Sequence, residues 1–246
     1  MGKAFSRVEQ VLARLNGRVV KVIGLGGIGA AVAQALAQFL SRWAEGEIWF
    51  VDGDWYEEGN QDRVLFDRRE NKAVAKVKEL ACLSADGPAI LPVPRYVTPD
   101  CVDGLVGEGD VLFLCVDNHA TRQLVSRRCE GLSDVLLFSG GNDGVENGRS
   151  GTYGNVQIYW REEGRNRTNP LTRFHPEIAN PRDKRPDELS CAMTAESAPQ
   201  LLFTNLAIAS TMLGAFYTWL TGQLDREEVC LDIATAQMIP RKRAVV

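Results

Sequence analysis

The run from Arg18 to Gly29 reads Arg-Val-Val-Lys-Val-Ile-Gly-Leu-Gly-Gly-Ile-Gly. Its first seven residues form a short apolar strand that stops at a glycine, and residues 28–43 continue as an Ala- and Leu-rich helical run. Glycines between a strand and a helix let the backbone come close to a phosphate, and the helix N-terminus favours negative charge. Residues 47–52, Glu-Ile-Trp-Phe-Val-Asp, are a second apolar strand ending on an acid. The pattern is a β-α-β unit, with parallel strands and a right-handed crossover expected. Asp52 stands near the spacing at which an acid accepts hydrogen bonds from ribose hydroxyls.

Working outward, residues 71–83 read as a basic amphipathic helix, 90–96 as a strand and 110–116 as a fully apolar strand of the buried parallel kind. Residues 119–129 read as a helix and 135–138 as another buried strand. This alternation predicts an α/β fold, a doubly wound, Rossmann-like and mainly parallel sheet over residues 18–139. From Gly140 to Gly154 the chain is glycine-rich, and residues 155–160 look like an antiparallel strand. The polar, proline-bearing stretch 161–190 is expected to be a long, mobile crossing loop, since loops of that length are functional or disordered. An apolar helix over 201–220 and C-terminal antiparallel strands over 229–239 complete one domain of residues 1–246.

A chain of 246 residues with 45% hydrophobic and 24% charged content can bury one substantial core without a metal or disulfide staple. The net charge of −4 gives no whole-chain attraction for nucleic acid or anionic membrane. The first residues carry no long apolar stretch, and the run 201–220 is broken by Thr204, Asn205, Ser210, Thr211 and Thr218. No nucleic acid, no membrane and a cytoplasmic location are therefore expected. The six cysteines contain no C-x-x-C pair, so no structural zinc is expected. Two histidines are too few for a His-based metal site or a Ser-His-Asp triad; His119 sits beside Asp117, and His175 reads as an exposed loop residue.

A glycine turn with an acid fits NAD, FAD or ATP equally well. The residues beyond Asp52 separate them: Gly53-Asp54, then Asn60-Gln-Asp-Arg63, then Asn71-Lys72-Ala73. A dinucleotide site has no need of an arginine and a lysine beyond the ribose acid. Moving a carboxylate onto an α-phosphate does, because the developing negative charge calls for cationic donors.

In these motifs the chain resembles the ThiF/MoeB and ubiquitin-activating superfamily: a G-x-G-G-x-G turn, a D-x-D strand end, N-x-x-R, a Lys-Ala helix start, and Asp117-Asn118-His-Ala-Thr-Arg122 as D-N-x-x-x-R. The resemblance covers residues 18 to 125 well and the remainder weakly. It implies that Gly24, Gly26, Gly27 and Gly29 lie against ATP, that Asp52 holds the ribose with Asp54 close by, and that Asn60 and Arg63 contact the phosphates. It further implies that Asp117, next to Asn118, helps hold Mg²⁺. The lysine stays open: Lys72 fits the local Asn-Lys-Ala context, and Lys76 fits the ungapped spacing from Arg63. Two departures stand out, Val64 where the family has Gln and a compressed segment between Arg63 and Asn71. Arg7 is a candidate for the family's arginine that reaches across a homodimer, beside the plainer reading of a surface arginine.

Cys191, in Leu-Ser-Cys-Ala-Met ahead of the last apolar helix, stands where the superfamily carries a nucleophilic cysteine. A thiolate there would take the acyl group as a thioester; the alternative is a small buried residue at a helix entry. The Ser-Cys pair, the run from Pro199 to Phe203 with Asn205, and the C-terminal strands resemble ThiF-like proteins of PRTRC plasmid systems and bacterial ubiquitin-like operons. The resemblance implies Mg²⁺- and ATP-dependent adenylation of the C-terminal glycine of a small ubiquitin-like or sulfur-carrier-like protein, with a conjugating partner beyond it. Residues 140–246 would bind that protein. The competing readings are an NAD-linked oxidoreductase, supported by the glycine turn and Asp52 alone, and a non-catalytic partner-binding module of the same fold.

Overall fold

The computed structural model describes residues 11–43, 45–57, 69–84, 87–145, 148, 150–188 and 200–242. Strands β1 (Val19–Ile23), β2 (Glu47–Val51), β3 (Ala89–Val93) and β4 (Val111–Leu114) are joined by β5 (Val135–Asn142) and β6 (Tyr153–Glu162). The short β7 (Arg165–Asn166) and the pair β8 (Arg226–Asp232) and β9 (Gln237–Lys242) complete the set. Among the described residues all strands lie in one nine-stranded sheet of order β3-β2-β1-β4-β5-β6-β8-β9, with β7 on β6. The first five are parallel. From β5 onward the pairing is antiparallel, so one sheet runs through both halves of the chain. The chain reverses direction in strand order between β1 and β4, and in such sheets ligands bind at the carboxyl ends of the strands beside that switch.

Side-chain alternation divides two cores between the faces. Val20, Val22, Phe113, Leu136 and Phe138 point to one face, where helices α1 (Gly27–Phe39), α2 (Lys72–Glu79) and α6 (Leu202–Leu220) cover them. There Phe216 of α6 sets its ring edge-on to Phe113, with centroids 5.4 Å apart, and Phe113 stacks on Phe138 at 5.1 Å. Leu112, Leu114, Val135 and Leu137 point to the other, under α3 (Val102–Leu105) and α4 (His119–Glu130). Because β4 is covered on both sides, its four residues are all buried, which is why it reads as an unbroken apolar run.

Several expectations change. The strand expected over 135–138 runs on into the glycine-rich stretch: β5 continues to Asn142. Gly140 and Gly141 face opposite sides, and a Cβ on the first would stand 2.5 Å from Met212 Sδ, on the second 2.5 Å from Arg122 Nη2. They are glycines because α6 and a buried arginine close on the strand. The crossing loop is long, as expected, but not featureless. It carries the short helix α5 (Pro176–Ala179) and is anchored to the second core by Leu171 and Ile178, 2% and 1% exposed. His175 is not a free surface residue either; its ring bridges Glu177 (2.8 Å) and Glu228 of β8 (2.7 Å). Burial opposes charging this ring, but the bonds to Glu228 and Glu177 outweigh it and raise its pKa. Helix α1 ends at Phe39, short of the expected Trp43, and β9 runs on to Lys242. No described helix is long and apolar enough to cross a membrane.

Candidate active site

The glycine turn leaves β1 at Gly24, whose φ of +87° is the left-handed conformation that side chains disfavour. A Cβ there would also stand 3.0 Å from the backbone of Cys115 and Val116, where β4 ends. At Gly29 a Cβ would fall 1.8 Å from the carbonyl oxygen of Gly24, so the first turn of α1 folds directly on the loop. At Gly27 it would meet Asn205 Nδ2 at 2.1 Å. Gly26 differs: nothing lies within 4 Å of its would-be Cβ. The protein's own packing does not require a glycine there, and the open space fits the cradle that a phosphate needs. Helix α1 also has no side-chain cap and no acid in its first turn, which leaves its N-terminal amides for an anion.

Asp52 stands at the end of β2, 8% exposed, and both carboxylate oxygens accept backbone amides, from Leu25 at 2.5 Å and Asp54 at 2.8 Å. The acid thus ties the glycine loop to its own strand. Burial raises its pKa to about 6, against the pull of Lys72 and the two amides. Asn71 locks the next piece in place. Its Oδ1 accepts the amides of Ala73 and Val74 as the N-cap of α2, while its Nδ2 donates to the carbonyls of Asp52 (2.9 Å) and Asp54 (3.0 Å).

That cap sets the two lysines apart. Lys72, the first residue of α2, extends its Nζ to Asp54 Oδ2 at 3.0 Å. The other oxygen of Asp54 takes the Tyr96 hydroxyl, and the Tyr96 ring covers Gly53, where a Cβ would be 2.6 Å from it. Lys76 lies one turn on, its side chain 4% exposed and its Nζ bonded to Glu79 at 2.6 Å.

At the end of β4, Asp117 is exposed and Asn118 caps α4, accepting the Thr121 amide at 2.8 Å. Arg122, one turn into α4, is 5% exposed and donates to the carbonyls of Val116 (2.8 Å) and Gly140 (2.7 Å). It clamps the ends of β4 and β5 beneath Asp117. Between these elements lies an open cleft, lined among others by Gly24, Asp52, Tyr96, Asn118, Thr121 and Pro186. Asn60, Arg63, Cys191 and Arg7 lie outside the described residues. Gly24, Asp52, Asp54, Lys72, Asn118 and the other turn glycines converge on one end of the sheet, while Lys76 turns to its own helix. Among the described residues no three His, Cys, Asp or Glu side chains form a metal-holding group, so a Mg²⁺ ion at Asp117 would take its remaining ligands from phosphate oxygens and water.

Sequence reasoning missed Tyr96, Thr121 and Pro186, and gave Asn71 and Arg122 no task. Asn71 carried a usable signal, an N-cap residue directly before a helical run. Tyr96 and Pro186 carried none, since nothing local marks a residue that reaches the cleft from another strand or loop.

The ThiF family matches residues 4–241. The chain belongs to the ThiF family. It is 34% identical over 119 residues to the adenylyltransferase and sulfurtransferase MOCS3 of Bos taurus, a stretch covering 47% of this chain and 25% of that protein. With the adenylyltransferase and sulfurtransferase uba4 of Aspergillus fumigatus it shares 29% over 116 residues, 46% of this chain and 23% of that one. The chain therefore aligns with only about a quarter of the length of these curated relatives. Among solved structures, E. coli MccB with SeMet MccA superposes with a TM-score of 0.69 over 97% of this chain and 68% of that one, at 16% identity. That likeness speaks to the fold.

Proposed function

We propose that this ThiF-family chain activates the C-terminal glycine carboxylate of a small ubiquitin-like or sulfur-carrier-like protein as an acyl adenylate, using ATP. The observation that carries the reading is the convergence of the open turn at Gly26, buried Asp52 and the Asp54-held Lys72 at the switch between β1 and β4. The relatives' names, adenylyltransferases, support it. In this reading the free amides of α1 and Gly26 receive phosphate, Asp52 accepts the ribose hydroxyls, and Lys72 with Arg63 and Asn60 offsets the charge that grows on the α-phosphate. The carboxylate oxygen bonds to the α-phosphorus as the bond to the β-phosphate breaks, and pyrophosphate leaves. Mg²⁺, when bound through Asp117, neutralises phosphate charge. Cys191 then takes the acyl group as a thioester, releasing AMP.

ATP–pyrophosphate exchange with glycine-terminated candidate partners tests this. Exchange that depends on the partner's terminal glycine supports it; tight NADH binding with no affinity for ATP overturns it.

Asp52 adds a pH signature. Its pKa is raised to about 6, so its carboxylate is protonated below that point and loses acceptor strength for ribose hydroxyls. Affinity for adenosine, which has no group titrating near that pH, is expected to fall as the pH drops through about 6. Calorimetry across that range checks it, and Asp52→Asn should bind weakly with a flat profile.

We also propose a homodimer built on α6. Phe203, Leu206 and Tyr217 leave 66%, 46% and 50% of their surface exposed, and Phe39 of α1 meets the Tyr217 ring edge-on at 6.4 Å. An apolar stripe of this kind on a helix marks an interaction face. Light scattering on the wild type is expected to give twice the chain mass, and the double variant Leu206→Glu, Tyr217→Glu the mass of one chain.

A further inference from the structure

The two helices that end at the cleft treat their N-termini in opposite ways. Helix α1 is uncapped. On α4 the first amides are all taken: His119 N–H donates to Asp183 Oδ2 at 2.7 Å, Ala120 N–H to Asp183 Oδ1 at 3.0 Å, and Thr121 N–H to Asn118. Asp183 comes from the crossing loop, 64 positions from His119. The loop segment that carries it lies along α4, where Gln123 Nε2 donates to the carbonyl of Ala179 at 2.5 Å and Ile178 is buried in the core beneath. Three residues past Asp183, Pro186 forms part of the cleft wall, together with Asn118 and Thr121 of the α4 N-terminus.

We infer that Asp183 is a positioning residue: by capping α4 it seats the crossing loop so that Pro186 closes the nucleotide cleft, and loop seating and nucleotide occupancy stabilise each other. The physical basis is a two-bond carboxylate cap on a helix N-terminus, favoured by the helix dipole as well as by hydrogen bonding. Because the loop contributes Pro186 to the cleft wall, a nucleotide that packs against it favours the seated state by the same factor that seating favours binding. The inference rests on the cleft taking an adenine nucleotide, as proposed above. Asp183 touches neither nucleotide nor reacting atoms; it acts through the loop.

The test uses the full chain and the variants Asp183→Ala and Asp183→Glu, with ATP as the probe. Hydrogen exchange is followed in residues 177–180, which lie between two prolines and whose amides do not bond to Asp183, and ATP affinity is measured by calorimetry. Asp183→Ala is expected to exchange this segment about fivefold faster and to bind ATP about fivefold more weakly, the size of a lost helix cap. ATP should slow exchange of the segment in the wild type and do so much less in Asp183→Ala. Asp183→Glu, which keeps a carboxylate, should restore part of both effects. Unchanged exchange in residues 47–51 of β2 separates unseating from general loosening of the fold. Wild-type affinity in Asp183→Ala, or wild-type loop exchange indifferent to ATP, overturns the positioning role alone. Failure of the wild type to bind ATP at all overturns the nucleotide reading and this inference with it.

Discussion

Lys72→Ala is expected to lower ATP–pyrophosphate exchange about a hundredfold while leaving the chain folded. A cation placed where phosphate charge develops is worth roughly two to three orders of magnitude in rate when removed. The loss to stability is small, because Lys72 Nζ pairs with Asp54, whose side chain is 49% exposed, and a pair that wet contributes about 0–1 kcal/mol. The Asn71 cap and the Asn71–Asp52 bond survive the change, so the end of β2 keeps its shape. Lys76→Ala provides the contrast. Its side chain is 4% exposed and its ammonium is bonded to Glu79, so its loss should appear as a lower melting temperature with exchange largely retained. Measuring both variants by exchange and by thermal melting is decisive: equal loss of exchange in the two, or a larger loss in Lys76→Ala, would remove Lys72 from its assigned role.

The second large effect is on the scaffold. Arg122→Met should destabilise the chain by about 3 kcal/mol, the range found when one partner of a buried charged network is removed. For a domain of this size that is roughly 6–12 °C in Tm. The guanidinium donates to Val116 and Gly140 carbonyls from a buried position, and methionine supplies no donor to either. Gly141 compounds the loss, since its missing Cβ is the space the guanidinium fills. Arg122→Lys should recover only part, because one ammonium cannot reproduce the fork that spans two strands. Since those carbonyls fix the end of β4, exchange activity should fall with stability. Denaturant midpoints for the two variants check this, and a midpoint for Arg122→Met equal to that of the wild type would show that the clamp is dispensable.

Much of this protein was present in its local sequence. The apolar runs of β1, β2, β4 and β5 announce a buried parallel sheet because strands covered on both faces need no polar side. The glycines at 24 and 29 announce a strand-to-helix turn because backbone sterics there admit no Cβ, and Asp52 falls at the length of one β-α-β unit. Spacing left Lys72 and Lys76 level, because a gap of a few residues in a loop is invisible to periodicity. Their different surroundings depend on where Asn71 starts the helix, which a hydrogen bond to the end of β2 decides.

Contacts between segments far apart in the chain came only with packing. Tyr96 reaches Asp54 across 42 positions and Asp183 reaches α4 across 64, and neither residue carries a local mark of that use. Gly140 and Gly141 fall beyond the strand expected over 135–138 and yet lie within β5; the reason for their smallness sits on α6 and α4. Hydrophobic periodicity records which face of an element is buried, and it is blind to which partner buries it. The sheet and its nucleotide turn could therefore be read from sequence, whereas the wall of the cleft, the clamp beneath it and the seating of the crossing loop emerged from the packed chain.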